Sequence, residues 1–169
     1  MKIGVISDTH HNEEYTLKVV EHLSKDEHVK KIYHLGDEWE DLAAAQSAGL
    51  PVVMVPGIYA DEYKDPAIPN SVSESVSGKK ILLLHDLNDM TDDEAAEHDV
   101  ILHGHTHSYE LRCHIGKLYL NPGHLKERFH KERIATFMVI KFGEKGVKAK
   151  LFDIDFNFVA KISFYTHAQ

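Results

Sequence analysis

Short apolar, β-branched runs that stop abruptly on polar or glycine residues constrain the fold of this chain more than anything else in it. Residues 2–7, 32–35 and 51–55 each have the length and composition of a buried strand. Between the first two, Leu17, Val20 and Leu23 recur at helical spacing behind Asn12, an N-cap residue type followed by the acidic pair Glu13-Glu14. Between the second and third, the Ala-rich residues 41–48 close at Gly49, which predicts a short helix with a glycine C-cap. This β-α-β-α-β order predicts parallel strands joined by right-handed crossovers.

The pattern then loosens. Residues 56–70 hold three prolines and no clear period, predicting a surface loop, and so long a loop inside a compact domain is often functional. Residues 72–76 and 81–84 flank Ser77-Gly78 as a hairpin. Thr91-Asp92-Asp93-Glu94 is a capping-box signature for a helix reaching Glu97, and residues 100–102 are another strand. After His107 hairpins take over. Residues 109–115 and 118–120 surround Gly116-Lys117, 134–142 and 147–154 surround residues 143–146, and 158–165 add a last strand. These runs predict a second, mostly antiparallel sheet. The expected fold class is α/β (an α+β sandwich), with two packed mixed β-sheets flanked by helices. No internal repeat, low-complexity tract or linker breaks the 169 residues, a length that suits one domain over 1–169.

Composition narrows the function classes. A net charge of −8 argues against a broad basic surface for nucleic acid, yet leaves a phosphate ester open, because bound divalent metals supply local positive charge. No apolar run approaches the roughly 18 residues of a membrane span, and the start reads as mature structure rather than a signal peptide. Cys113 is the only cysteine, so no intramolecular disulfide forms; a reducing, cytoplasmic compartment is expected, with Cys113 a small buried residue. A homodimer is the base-rate expectation for assembly. The unusual number is 14 histidines, which point to metal only where carboxylates join them.

They do join them, at one kind of place. Asp8-Thr9-His10 follows the first strand, Gly36-Asp37 the second, His85-Asp86 the run 82–84, and His103-Gly104-His105-Thr106-His107 the run 100–102. Ligands gather at the carboxyl ends of strands in open α/β sheets, so these residues are expected to meet. Carboxylates and imidazoles converging without a cation repel or stay unsatisfied; a divalent metal resolves this with mixed N/O ligands. Asp-x-His lets two side chains of one turn reach the same ion, Gly36 and Gly104 permit tight turns, and a central Asp37 can bridge two ions.

Asp8-x-His10, Gly36-Asp37, His85, Gly104-His105-Thr106-His107 and Asn121-Pro122-Gly123, in this order, resemble the motifs of calcineurin-like metallophosphoesterases. The short length and the Asn-Pro-Gly ending resemble its compact bacterial and archaeal phosphodiesterase branch, which also includes the Vps29 retromer subunit. The resemblance spans residue 1 to about residue 142. It implies that Asp8, His10 and His107 hold a first metal and His85 and His105 a second, with Asp37 bridging. It also implies in-line attack on the phosphorus of a small phosphate ester by a metal-bridging hydroxide. Manganese leads the expected pair of divalent ions, with iron, zinc and nickel also suited to such ligands. The family branch also implies an alternative behind this reading, a metal-binding interaction scaffold of low activity.

One departure matters. The family places Gly-Asn, then Cys or His and an acid, after the third strand, whereas this chain has Gly57-Ile58-Tyr59-Ala60-Asp61. Asp61 stands either as a replacement oxygen ligand or as a solvated loop carboxylate. Tyr59 stands either as a group that binds or protonates the leaving group or as a packed or exposed aromatic. Asp86 also replaces a common glycine. His11 and His124 are candidates for substrate contact, the first equally read as surface and the second as an orienting neighbour. His34 reads as a core histidine and His103 as one that orients its neighbours, while His22, His28, His98, His114, His130 and His167 have no motif around them. Residues 126–133 read as a solvated mixed-charge face from which Arg128 or Arg133 steers an anion.

Overall fold

The computed structural model describes residues 1–165; His167 lies outside the described residues. Strand β1 (Lys2–Ile6) is buried on both faces, with Ile3 and Val5 in one apolar cluster and Ile6 in another. Gly4 lets helix α1 (Glu13–Lys25) lie flush on the strand: a methyl there would sit 2.6 Å from Leu23 Cδ1. The side chain of Asn12 caps α1 by accepting from the Tyr15 N–H at 3.1 Å, and Val19, Val20 and Leu23 form its buried stripe. Strand β2 (Ile32–His34) leads to a 3₁₀ turn, Trp39–Asp41, and a helix α2 (Leu42–Gln46) shorter than the predicted 41–48. Strand β3 (Val52–Met54) follows Gly49 at φ 69°, and β1, β2 and β3 are parallel as expected.

Strands β4 (Ser71–Val76) and β5 (Lys79–Leu84) form a hairpin through Ser77 and Gly78 at φ 51° and 76°. Helix α3 (Asp92–Glu97) opens with the complete Thr91–Glu94 capping box. Strands β6 (Val100–Leu102), β7 (Glu110–His114) and β8 (Lys117–Asn121) complete a five-stranded sheet, β4-β5-β6-β8-β7. A small hairpin, β9 (Phe129–His130) and β10 (Arg133–Ile134), precedes β11 (Thr136–Gly143), β12 (Gly146–Asp153) and β13 (Phe158–Tyr165).

The two mixed sheets pack as expected, but their membership differs. Strands β11 to β13 join the first sheet, in the order β13-β12-β11-β1-β2-β3, with Ile3 opposite Ile140. The second sheet is mixed rather than mostly antiparallel, because β5, β6 and β8 are parallel. The reason is burial on both faces of β11. Phe137 and Val139 pack under α1 while Met138, Ile140 and Phe142 face the other sheet, an environment found only beside a central strand. The layer between the sheets is filled by Ile3, Val5, Tyr33, Leu35, Ile81, Leu83, Leu102 and Leu120 among others. Each such fully buried aliphatic side chain contributes about 1.5–3 kcal/mol. This dry layer fixes where the strand ends of the two sheets lie relative to each other. Cys113 corrects another expectation: it is exposed, since β7 is an edge strand whose last three residues face solvent. No helix among the described residues is long and apolar enough to cross a membrane.

Candidate metal centre

Each candidate ligand sits one to five residues past a parallel strand, where the chain must turn sharply while keeping its side chains inward. The backbone shows the cost: Asp8, His10, His11, Asp37, His105 and His107 all have positive φ, from 47° to 137°. Such conformations in non-glycine residues cost about 1–3 kcal/mol each and persist where the surroundings hold them.

The holding contacts are visible. Asp8 is 1% exposed, and its Oδ2 accepts from the Ser7 hydroxyl at 2.6 Å and from the His105 N–H at 3.1 Å, joining the first sheet to the second. Gly104 makes this approach feasible, because a methyl there would overlap the Ser7 hydroxyl and lie 2.9 Å from Asp8 Oδ2. Asn121 donates to the Gly104 carbonyl at 2.8 Å and accepts from the Gly123 N–H at 2.8 Å, so the Asn-Pro-Gly turn buttresses the histidine loop. Under the Asp8–His11 turn lies Asp41, 6% exposed, accepting from the Thr9 hydroxyl and from the His11 N–H at 3.0 Å. His34 continues this network: its Nδ1 accepts from the Gly36 N–H at 3.2 Å and its Nε2 meets Thr9 Oγ1 at 3.2 Å. Burial brings His34 down to about 4, so it is neutral, as a core histidine should be.

Four candidate ligands converge closely. His10 Nδ1 lies 2.7 Å from Asp37 Oδ2, His10 Nε2 lies 2.9 Å from His107 Nε2, and His107 Nε2 lies 3.4 Å from Asp8 Oδ1. Asp8, His10 and His107 place one ligand atom each within 4.8 Å of one another, and so do His10, Asp37 and Glu38. His85 and His105 form a second pair, with ring centres 5.2 Å apart. His85 Nδ1–H donates to the Leu35 carbonyl at 2.7 Å, leaving the Nε2 lone pair free, the usual arrangement of a metal-ligating histidine. Asp86 Oδ2 stands 3.7 Å from His105 Nε2, so the residue replacing the common glycine brings a carboxylate to this side.

The electrostatics suit a cation. Burial, reinforced by the Asp37 charge against the relief of the Ser7 hydrogen bond, lifts Asp8 to about 7. Burial also raises Asp37, but the His10 hydrogen bond and the neighbouring His10 and His85 outweigh it and hold Asp37 below its ordinary value. Burial, then His10, His124 and His130, push His107 down to about 3, and burial lowers His85. His107 and His85 are thus neutral, and burial favours the protonated form of the Asp8 carboxyl. That donor set fits one or two divalent metals.

Other candidates fall elsewhere. Gly57 packs against Asp37, its N–H donating to the Asp37 carbonyl at 3.1 Å, but beyond it Tyr59 is 79% exposed and Asp61 is exposed in a 3₁₀ turn. No hydrogen bond or ion pair among the described residues ties either side chain to the centre. His11 is exposed at the rim, with Nε2 3.8 Å from Glu38. His124 is fully enclosed, which takes it away from direct substrate contact. His103 orients its neighbours as expected, bonded to Glu110 at 2.8 Å. Arg128 is occupied by Asp155, whereas Arg133 donates to the Thr106 carbonyl at 2.8 Å beside the histidine loop. Sequence reasoning missed Glu38, Asp41 and His130; only the adjacency of Glu38 to Asp37 offered a signal.

The fold has close solved counterparts. The phosphoesterase Yfce from E. coli shares 16% identity at a TM-score of 0.78, covering 97% of this chain and 100% of its own. Vps29 from Chaetomium thermophilum shares 15% at 0.77, covering 99% and 100%. Vps29 from Entamoeba histolytica, solved in complex with Zn²⁺, shares 17% at 0.73, covering 97% and 99%. No curated protein matches the chain in sequence. The profile of the calcineurin-like phosphoesterase superfamily domain matches residues 1–145, and with that span the chain belongs to this superfamily.

Proposed function

We propose that the chain is a divalent-metal-dependent phosphoesterase, acting as a phosphodiesterase on a small phosphate ester, with manganese as its working metal. One observation carries this reading. His10 and His107 share a hydrogen bond through their Nε2 atoms at 2.9 Å between the buried carboxyl groups of Asp8 and Asp37, so a cation replacing the shared proton finds two imidazoles and two carboxyl groups already gathered. Asp8, His10 and His107 hold one ion, His85 and His105 the other, and Asp37 both; Asp86 takes the place of the absent asparagine. Two such ions neutralise phosphoryl charge and lower the pKa of water. The chain's own groups do the rest. Asp41 and Asn121 fix the two ligand-bearing turns, His11 meets substrate at the rim, and Arg133 offers positive charge to an arriving anion. Tyr59 and Asp61 take no role. The test is manganese-dependent hydrolysis of a chromogenic phosphodiester by wild type and His105→Ala side by side. Turnover in the wild type, reduced at least about a hundredfold in the variant, is expected; wild type without turnover on any diester or monoester overturns the reading.

The buried Asp8 carboxyl also sets a pH dependence. Asp8 stands at about 7 in the folded chain against 3.8 for the free group. Between these values the folded, metal-free chain holds a proton that the unfolded chain lacks. Its stability therefore gains from Asp8 as pH falls through that window and loses as pH rises through it. Metal must displace this proton, while His107 and His85 are already neutral. Metal affinity is expected to climb about tenfold per pH unit between about pH 5 and 7 and to level off above, by calorimetric titration. An affinity flat across that range contradicts Asp8 as a ligand.

A second reading, a metal-binding interaction scaffold, draws on the loop after β3, where Tyr59 lies exposed and no acid–base group reaches the centre. His105-dependent turnover excludes it as the main role.

A further inference from the structure

Beside the proposed pair of metals lie two histidines that this pair does not use, His124 and His130, both next to the ligand His107. The β9–β10 hairpin folds back over the histidine loop and brings His130 to His107, with ring centres 5.0 Å apart. His124, next to the Asn-Pro-Gly turn, closes a triangle, 5.6 Å from His107 and 5.8 Å from His130. Three imidazoles bound tetrahedrally at a Zn–N distance of about 2.0–2.1 Å have ring centres roughly 5 Å apart. The pairs already assigned to the centre show the same spacing, 4.8 Å for His10–His107 and 5.2 Å for His85–His105.

Hydrogen bonding prepares both extra histidines as ligands. His124 Nε2–H donates to the Arg133 carbonyl at 3.3 Å, which leaves Nδ1 with a bare lone pair. That Nδ1 is buried without a partner in a fully enclosed residue, a costly state for a polar atom. His130 Nδ1–H donates to Glu127 Oε1 at 2.7 Å, which leaves Nε2 free. An imidazole tied through one nitrogen to a carbonyl or carboxylate, with the other nitrogen bare, is the pattern of metal-binding histidines.

We infer that His107, His124 and His130 form a further cation site flanking the proposed dinuclear centre, with Glu127 orienting His130. An imidazole-only site selects zinc, nickel or copper over manganese or magnesium. The three do not bring one nitrogen each within 4.8 Å of one another, as the ligand atoms of Asp8, His10 and His107 do. Closure takes rotation of His130, whose side chain is 16% exposed at the hairpin surface. His107 is the shared wall, so a cation on the flank competes for it with the first metal.

The test is zinc titration of the metal-free full chain, with cobalt(II) absorption as a second readout, on wild type, His130→Ala, His124→Gln, Glu127→Gln and Asp37→Ala. In the Asp37→Ala background, where His107 is released from the dinuclear centre, His130→Ala and His124→Gln are expected to remove one zinc equivalent and its tetrahedral cobalt band. Glu127→Gln should weaken that equivalent by about 10–100-fold. Asp37→Ala, which disrupts the dinuclear centre, should retain it. His130 lies half-buried on the hairpin, outside the apolar core, which keeps its variant folded even if His124→Gln destabilises the core. Zinc stoichiometry, affinity and cobalt spectrum unchanged by His130→Ala and Glu127→Gln in that background overturn the site. Failure of the phosphoesterase reading looks different: no manganese-dependent turnover, with the flanking zinc still bound.

Discussion

Replacing Asp37 with alanine is expected to lower manganese-dependent diester hydrolysis by on the order of a thousandfold or more. In the proposed centre Asp37 is the carboxylate shared by both ions. It accepts from the His10 backbone N–H at 3.1 Å and pairs with His10 Nδ1 at 2.7 Å. Removing it therefore releases His10 as well as the bridge. Asp37→Asn separates the two contributions: it preserves an oxygen acceptor for the His10 N–H but lowers the charge available to the metals. It should keep the thermal stability of the metal-free chain nearer wild type than Asp37→Ala while losing most of the turnover. Activity of Asp37→Ala within about tenfold of wild type would place the chemistry elsewhere.

The second large effect is structural in origin. Gly104→Ala inserts a methyl where Ser7 Oγ already lies, 2.9 Å from Asp8 Oδ2 and 3.1 Å from the Leu35 carbonyl oxygen. The Ser7 hydroxyl can turn away only by giving up its hydrogen bond to Asp8, and the Leu35 carbonyl belongs to backbone that cannot yield locally. Overpacking together with a lost buried hydrogen bond costs about 2–4 kcal/mol. For a chain of this size that corresponds to roughly 5–15 °C in melting temperature. The same shift pries His105 from Asp8, so metal binding should fall with stability. Gly143→Ala is the control, since a methyl there meets nothing closer than 3.9 Å and should change stability by less than about 0.5 kcal/mol. Equal melting temperatures for the two variants would contradict the close packing of the His103–His107 loop on the first sheet.

What was legible in the sequence follows from which interactions are local. Strand ends could be read because each β-branched run stops at a polar cluster, and the two best caps, Asn12 and Thr91, act within their own first turn. The candidate ligands could be read because they sit immediately past those runs. Sheet membership could not. Nothing within residues 134–142 says that β11 lies beside β1 rather than in the other sheet, since burial on both faces is a property of the partner strands. Asp41 shows the same limit at the site. As a residue near a helix start it looks like a cap, yet it turns inward to hold Thr9 and His11, contacts 30 and more positions away in the chain. His130 is the strongest case. It lies in a mixed-charge run that reads as solvated surface, and only the φ 47° and 65° turn at Lys131-Glu132 folds it back toward His107. Tyr59 and Asp61 stand out in sequence because they lie just past Ile58, which holds the place of the family's asparagine, but sequence position does not aim a side chain, and theirs are exposed.

The central claim is that Asp8, His10, Asp37, His85, His105 and His107 hold two divalent metals together. The most direct measurement is manganese bound per chain by equilibrium dialysis, with electron paramagnetic resonance of the same samples. Two manganese ions per wild-type chain with a spin-coupled spectrum are expected, falling to one uncoupled ion or none in Asp37→Ala. Wild type that binds a single uncoupled ion, or binds two that are unaffected by Asp37→Ala, would contradict it.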